Sequence, residues 1–209
     1  MRAQGTSPSN TPQLNTSRQV ERSVQIRMFP EETALFTSFI RNATSYVEFG
    51  TGGSTVLASN YVRDRIISVD SSQEWLDLVK VACADSKVIP ELLFMDIGTT
   101  GEWGSPTDNT TRHRWPSYHS DVWNVEGSAN ADLYLVDGRF RVACFAQVVL
   151  HCKPSAIIAI HDFSSRPAYH RVNEIAREIA TAGDLSFFLP LPEREKAHLL
   201  LRDFSFEPF

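Results

Sequence analysis

A chain of 209 residues suits one domain with a sizeable core, and its 42% hydrophobic and 22% charged side chains exclude collagen-like, disordered and membrane-embedded classes. A formal net charge of -5 offers no overall basic face, so binding to nucleic acid is not expected. No apolar run approaches the roughly 20 residues needed to cross a bilayer, and the amino terminus lacks a secretory apolar core, so a cytoplasmic protein without a membrane partner is expected.

Residues 1–23 are rich in Ser, Thr, Asn, Gln and Pro and read as a disordered tail, because they bury too little apolar surface to offset the entropy of ordering. A single domain over 24–209 is expected to follow. Pro30, Glu31 and Glu32 place a proline and two acids in a first helical turn, and Leu35, Phe36, Phe39 and Ile40 recur at helical spacing. They predict a helix of about 12 residues. Short apolar runs come next: Tyr46–Phe49, Arg65–Val69, Glu91–Met95, Leu133–Val136 and Ala156–Ile160. Helix-length segments separate them, which predicts βαβ units, and their continuous apolarity predicts a parallel sheet covered on both faces.

Between the third and fourth runs, Gly98 to Glu126 mixes polar residues with Trp103, Trp115, Tyr118 and Trp123. A loop of that length is either a lid and acceptor pocket or an excursion whose aromatics pin it to the body. Val142 to Cys152 reads as a buried helix, and Cys83, Cys144 and Cys152, with no C-x-x-C spacing, read as free thiols in a reducing compartment. Asn42 and Asn109 match a glycosylation sequon without an export signal to support its use. Two last strands, near Leu185–Leu189 and His198–Phe204, flank Pro190-Leu191-Pro192-Glu193 and are expected to form a closing hairpin.

The predicted strands end in or beside acids: Glu48, Asp70, Asp96, Asp137 and Asp162, with His161 next to the last. In an open α/β sheet the carboxyl ends share one edge, where ligands bind, although Asp70-Ser71-Ser72 also reads as a helix cap. The first strand runs into Gly50-Thr51-Gly52-Gly53-Ser54-Thr55, whose glycines permit a tight turn and close approach of a ligand. A dinucleotide fingerprint would want another glycine near Thr55 and has no use for Glu48, whereas a ligand with an ammonium group would welcome that carboxylate. Asp70, about 20 residues beyond Gly50, is placed to hold a ribose.

Val47-Glu48-Phe49-Gly50-Thr51-Gly52-Gly53-Ser54 resembles motif I of the class I S-adenosylmethionine-dependent methyltransferases, and Ile67-Ser68-Val69-Asp70 resembles their second-strand motif. The resemblance implies an α/β Rossmann-like three-layer sandwich whose seven-stranded, mostly parallel sheet has an antiparallel final strand. It implies that Gly50, Gly52 and Gly53, with Thr51 and Ser54 in the same loop, wrap the methionine part of S-adenosylmethionine, with Glu48 near its amino group. Asp70 and Ser71 would hold the ribose, and Asp96 would lie near the adenine.

Val136-Asp137-Gly138-Arg139 and Ile160-His161-Asp162-Phe163 resemble later motifs of small-molecule methyltransferases, with Arg139 where a histidine is frequent. The resemblance implies two arrangements: Asp137 and Asp162 hold a magnesium ion, or the Arg139 guanidinium supplies the positive charge instead. His161 and Asp137 are candidate general bases, His161 by its ordinary pKa, and Arg139 and Arg141 are candidates to bind an anionic group of the acceptor. Methyl transfer to oxygen or nitrogen of a small-molecule or sugar-like acceptor is the expected function. A non-catalytic cofactor-binding domain and an NAD(P)-dependent oxidoreductase stay open beside it, and a homodimer is common in this kind of fold.

Overall fold

The computed structural model describes residues 24–209, so the tail expected over 1–23 lies outside the described residues. Helix α1 spans Pro30–Ile40, with Pro30 and two acids in its first turn, and it buries Phe36 and Ile40. β1 (Ser45–Phe49), α2 (Gly53–Tyr61), β2 (Arg65–Asp70), α3 (Gln73–Ala82) and β3 (Glu91–Phe94) follow. After the long loop, which carries the short α4 (Ser117–Ser120), come β4 (Leu133–Val136), α5 (Arg141–His151) and β5 (Ile157–Ile160). The chain ends in β6 (Ala176–Ala182), β7 (Leu185–Pro190) and α6 (Glu195–Phe204).

The strands form one seven-stranded sheet in the order β3-β2-β1-β4-β5-β7-β6. β1 to β5 are parallel, and β7 runs antiparallel to both neighbours. Alternation along each strand divides the core into two layers. Val47, Phe49, Val69, Tyr134, Val136 and Ile160 face α5 and the long loop. Tyr46, Ile66, Leu133, Leu135 and Ala159 face α1 and α2. Apolar contact on both faces explains why the central strands read as continuous rather than alternating.

One element differs from the sequence expectation. The closing hairpin pairs Ala176–Ala182 with Leu185–Pro190, and His198–Phe204 belongs to a helix, α6. Ala197 and Leu200 are buried, with Leu201 and Phe204 packed on the core beside them, a spacing of three, four and seven that belongs to a helix. The hairpin's first strand lies at the sheet edge with Arg177 and Glu178 exposed, so its Ala, Arg and Glu carry little β signal.

The loop settles into short turns. Trp115, Tyr118 and Val122 are buried in the core, whereas Trp103 stays 68% exposed. Its aromatics therefore pin the loop to the body and leave one ring at the surface.

Candidate functional site

A cavity of about 900 Å³ opens where β1, β2, β4 and β5 end, lined by Gly50 to Ser54, Asp70, Ser71, Asp137 to Arg139, Arg141, His161 and Asp162. The glycines in its wall do different jobs. Gly50 has φ +104°, and a Cβ there would lie 2.5 Å from the Gly138 nitrogen, so the turns after β1 and β4 meet backbone to backbone. A Cβ on Gly53 would lie 2.1 Å from the Ile26 nitrogen, because the segment before α1 crosses the start of α2. Gly52 alone of the three opens into space: the nearest atom to its added Cβ is Trp75 Nε1 at 3.9 Å. Trp75 Nε1 donates to the Thr51 carbonyl at 2.5 Å, and Thr51 Oγ1 lies 2.7 Å from Ser68 Oγ, so α3 and β2 hold the loop in shape.

Glu48 lies beneath this loop rather than in the cavity wall. It is fully buried, with hydrogen bonds from the Ser54 and Thr55 hydroxyls, and burial raises its pKa to about 8. With that shift the carboxyl is neutral at pH 7, and it pins the first turn of α2. Asp70 does line the cavity. Its Oδ1 accepts the Ser72 N–H at 2.8 Å, and burial raises its pKa to about 6 against those backbone hydrogen bonds. Asp96 is outside the wall: it accepts the Gly98 N–H at 2.9 Å and pairs with Arg114 at 2.7 Å.

On the other side of the cavity an ionic cluster joins four elements. Arg141, at the start of α5, places Nη1 3.1 Å from Asp137 and Nη2 3.0 Å from Asp162, and Arg166 adds a second contact to Asp162 at 3.3 Å. His161 lies between two acids, with Nδ1 3.1 Å from Asp137 and Nε2 3.3 Å from Glu32. Glu32, buried in the first turn of α1, also accepts the Phe29 and Asp184 N–H groups, each at 2.7 Å. Burial opposes charge on His161, but the hydrogen bond and field of Asp137, then Asp162 and Glu32, outweigh it and raise its pKa to about 9. For Asp137, burial favours the neutral acid, and the Arg141 and His161 charges reverse that and hold it below the usual carboxylate range.

Two sequence expectations change here. His161 is an imidazolium at pH 7 with both nitrogens facing carboxylates, so neither it nor the paired Asp137 is a free general base. Asp137, His161 and Asp162 do bring possible ligand atoms within 4.8 Å of one another. The Arg141 guanidinium nevertheless bridges both carboxylates from a side chain only 5% exposed, so the residues do not fit a magnesium ion. The contact charge on these acids comes from Arg141; Arg139 adds a weaker field on Asp137 while its Nη1 donates to Ser105 of the loop at 3.1 Å.

Backbone strain collects around the same cavity. Among the described residues, the non-glycine residues with positive φ are Trp103 (59°), Phe140 (54°) and Asp162 (57°). Two of them line the cavity and Phe140 lies between Arg139 and Arg141, which also line it. Strain of this kind persists where the surroundings fix a functional geometry.

No protein-family model and no curated protein matches the chain. Solved structures do. A methyltransferase-like protein from Silicibacter pomeroyi is 29% identical, with a TM-score of 0.80 over 88% of this chain and 98% of that one. An O-methyltransferase from Bacillus cereus in complex with SAH is 11% identical (TM-score 0.51; 78% and 82% covered), and a SAM-dependent O-methyltransferase from Thermotoga maritima is 9% identical (0.52; 82% and 68%). The last two likenesses speak to fold alone. The chain has the class I methyltransferase fold of these neighbours.

The sheet edge gathers Gly50, Thr51, Gly52, Gly53, Ser54, Asp70, Ser71, Asp137, Arg139, His161 and Asp162 around one cavity and leaves out Glu48 and Asp96. Sequence reasoning missed Glu32, Trp75 and the segment Gln25–Met28. Glu32 looked like any first-turn acid, and the others act through contacts distant in sequence. Among the described residues no helix is long and apolar enough to cross a membrane.

Proposed function

We propose that the cavity binds S-adenosylmethionine and that the protein transfers its methyl group to the oxygen or nitrogen of a small-molecule or sugar-like acceptor. The reading rests chiefly on the open face of Gly52 beside Asp70, which together offer an unobstructed backbone and a ribose-binding carboxylate in one cavity. The residues present fit that cofactor: Gly50 to Ser54 would take the methionine part, and Asp70 with Ser71 the ribose. When bound, S-adenosylmethionine supplies a methyl group activated by the sulfonium. The domain over 24–209 would do this work in the cytoplasm, where the buried, unpaired Cys83, Cys144 and Cys152 suit a reducing compartment.

The chain's own contribution is positioning. Trp75 and the neutral Glu48 hold the glycine loop, and the ionic cluster fixes α1, β4, β5 and the β6–β7 turn around the cavity. Preorganised walls of this sort lower the barrier by orientation and exclusion of water. With His161 and Asp137 held as a charged pair, the acceptor must arrive already nucleophilic, as a neutral amine or an oxygen acid of low pKa. Isothermal calorimetry with S-adenosylmethionine, its demethylated product and NADH tests the reading. Saturable binding of the first two without NADH is expected and should be lost in Asp70→Ala; NADH binding alone would make the glycine loop a dinucleotide site.

A further inference from the structure

The arginines of the cavity wall are not equivalent. Arg141 is neutralised by Asp137 and Asp162, and Arg166 touches Asp162. Arg139 is only 9% exposed, yet among the described residues it has no carboxylate within ion-pair distance. Among the described residues, Nη1 of its guanidinium has a partner, the Ser105 hydroxyl, whereas Nε is buried with none. Burial and the positive charges of Arg141 and Arg166 lower its pKa, against the Tyr118 and Tyr169 hydroxyls and the longer-range field of the Asp70 and Asp137 carboxylates.

A buried guanidinium with no carboxylate in contact is costly, because the longer-range field of Asp70 and Asp137 repays less of the desolvation than a direct ion pair would. The packing contacts of Arg139 do not use its charge: it holds its neighbours through backbone atoms, its carbonyl accepting from the Cys144 thiol and its N–H donating to the Tyr118 hydroxyl at 3.3 Å. Its side chain is also fixed from the loop, by Ser105, and not from the glycine turn. We infer that Arg139 is the docking point for an oxyanion carried by the methyl acceptor, a carboxylate, sulfate or phosphate, whose charge completes the pair the fold leaves open. The planar fork suits such a group, and two of its three nitrogens await an acceptor.

This inference rests on the methyltransferase reading, and the test separates the two. The full-length protein and its Arg139→Gln and Arg139→Lys variants are titrated with inorganic sulfate, with and without saturating demethylated cofactor, following tryptophan fluorescence at constant ionic strength. Wild type should show saturable binding that Arg139→Gln weakens by about tenfold or more, with Arg139→Lys between them and cofactor affinity unchanged in all three. Without anions Arg139→Gln should melt higher than wild type, because an unpaired buried charge has gone.

Equal sulfate affinity in wild type and Arg139→Gln, or no saturable binding in wild type, overturns the inference. Loss of cofactor affinity in Arg139→Gln would assign the guanidinium to the cofactor's own carboxylate and overturn the acceptor assignment. If wild type binds sulfate through Arg139 but neither S-adenosylmethionine nor its product, the anion site stands and the methyltransferase reading fails.

Discussion

Gly50 and Gly52 are two residues apart and should respond to substitution in opposite ways. Gly50 combines positive φ with a backbone contact that leaves no room for a Cβ. Gly50→Ala should therefore cost at least about 2 kcal/mol of stability, read as a fall in unfolding midpoint. Gly52 has φ -178°, an extended conformation open to any residue, and its added Cβ meets nothing nearer than 3.9 Å. Gly52→Val should keep the fold and fill ligand space, weakening S-adenosylmethionine by about tenfold or more with little change in melting. If Gly52→Val binds the cofactor as wild type does, the open face of the loop is not where the ligand lies. The glycine pattern was legible because chirality alone restricts such turns, whereas the direction of Glu48 was not. Alternation along β1 puts Glu48 on the same face as Tyr46, toward α2 and away from the cavity.

At the scale of elements, the ionic cluster ties α1 to β5 and to the β6–β7 turn through Glu32, which contacts both His161 and the Asp184 N–H. A histidine whose pKa is raised to about 9 in the fold, from near 6.5 when unfolded, adds stability in full below pH 6.5 and loses it as pH rises through 9. Glu48 acts in the same sense. With its folded pKa raised to about 8, it stays neutral while the unfolded chain ionises, so stability falls between its ordinary value and pH 8. The unfolding midpoint of wild type should decline between about pH 6.5 and 9. His161→Gln should melt lower than wild type near pH 6 and show a shallower decline across that interval. Parallel pH profiles for the two proteins would remove His161 from the account. The central strands were legible from their apolar runs, and α5 from its buried helical pattern. The last helix was not: His198–Phe204 holds enough Leu and Phe to pass for a strand, and only packing of Ala197 and Leu200 on the core decides it. Nor could the chain show that Arg141 rather than Arg139 would bridge the acids. Both follow Asp137 closely, and the difference lies in which way each points from the start of α5.

Across the whole molecule, the cavity is closed by parts far apart in sequence. Gln25 to Met28 cross the start of α2, Trp103 and Gly104 come from the long loop, and the two sides meet where the Arg27 guanidinium lies 4.7 Å from the centre of the Trp103 ring. Trp103 is exposed and left-handed in backbone, while Trp115 and Tyr118 anchor the same loop in the core. The loop therefore has a fixed base and a tip that, among the described residues, the cation-π contact joins to the opposite rim. An exposed contact of that kind contributes about 0.5–1 kcal/mol, a factor of roughly two to five in a rate. Removing it should leave the folded body intact and ease ligand escape. Trp103→Ala and Arg27→Ala should each speed dissociation of the demethylated cofactor by that factor in stopped-flow displacement, and the double variant should be no faster than either single one, because both remove the same contact. Additive effects would mean that the two residues hold the ligand separately, and unchanged dissociation in both would mean that the contact does not gate the cavity.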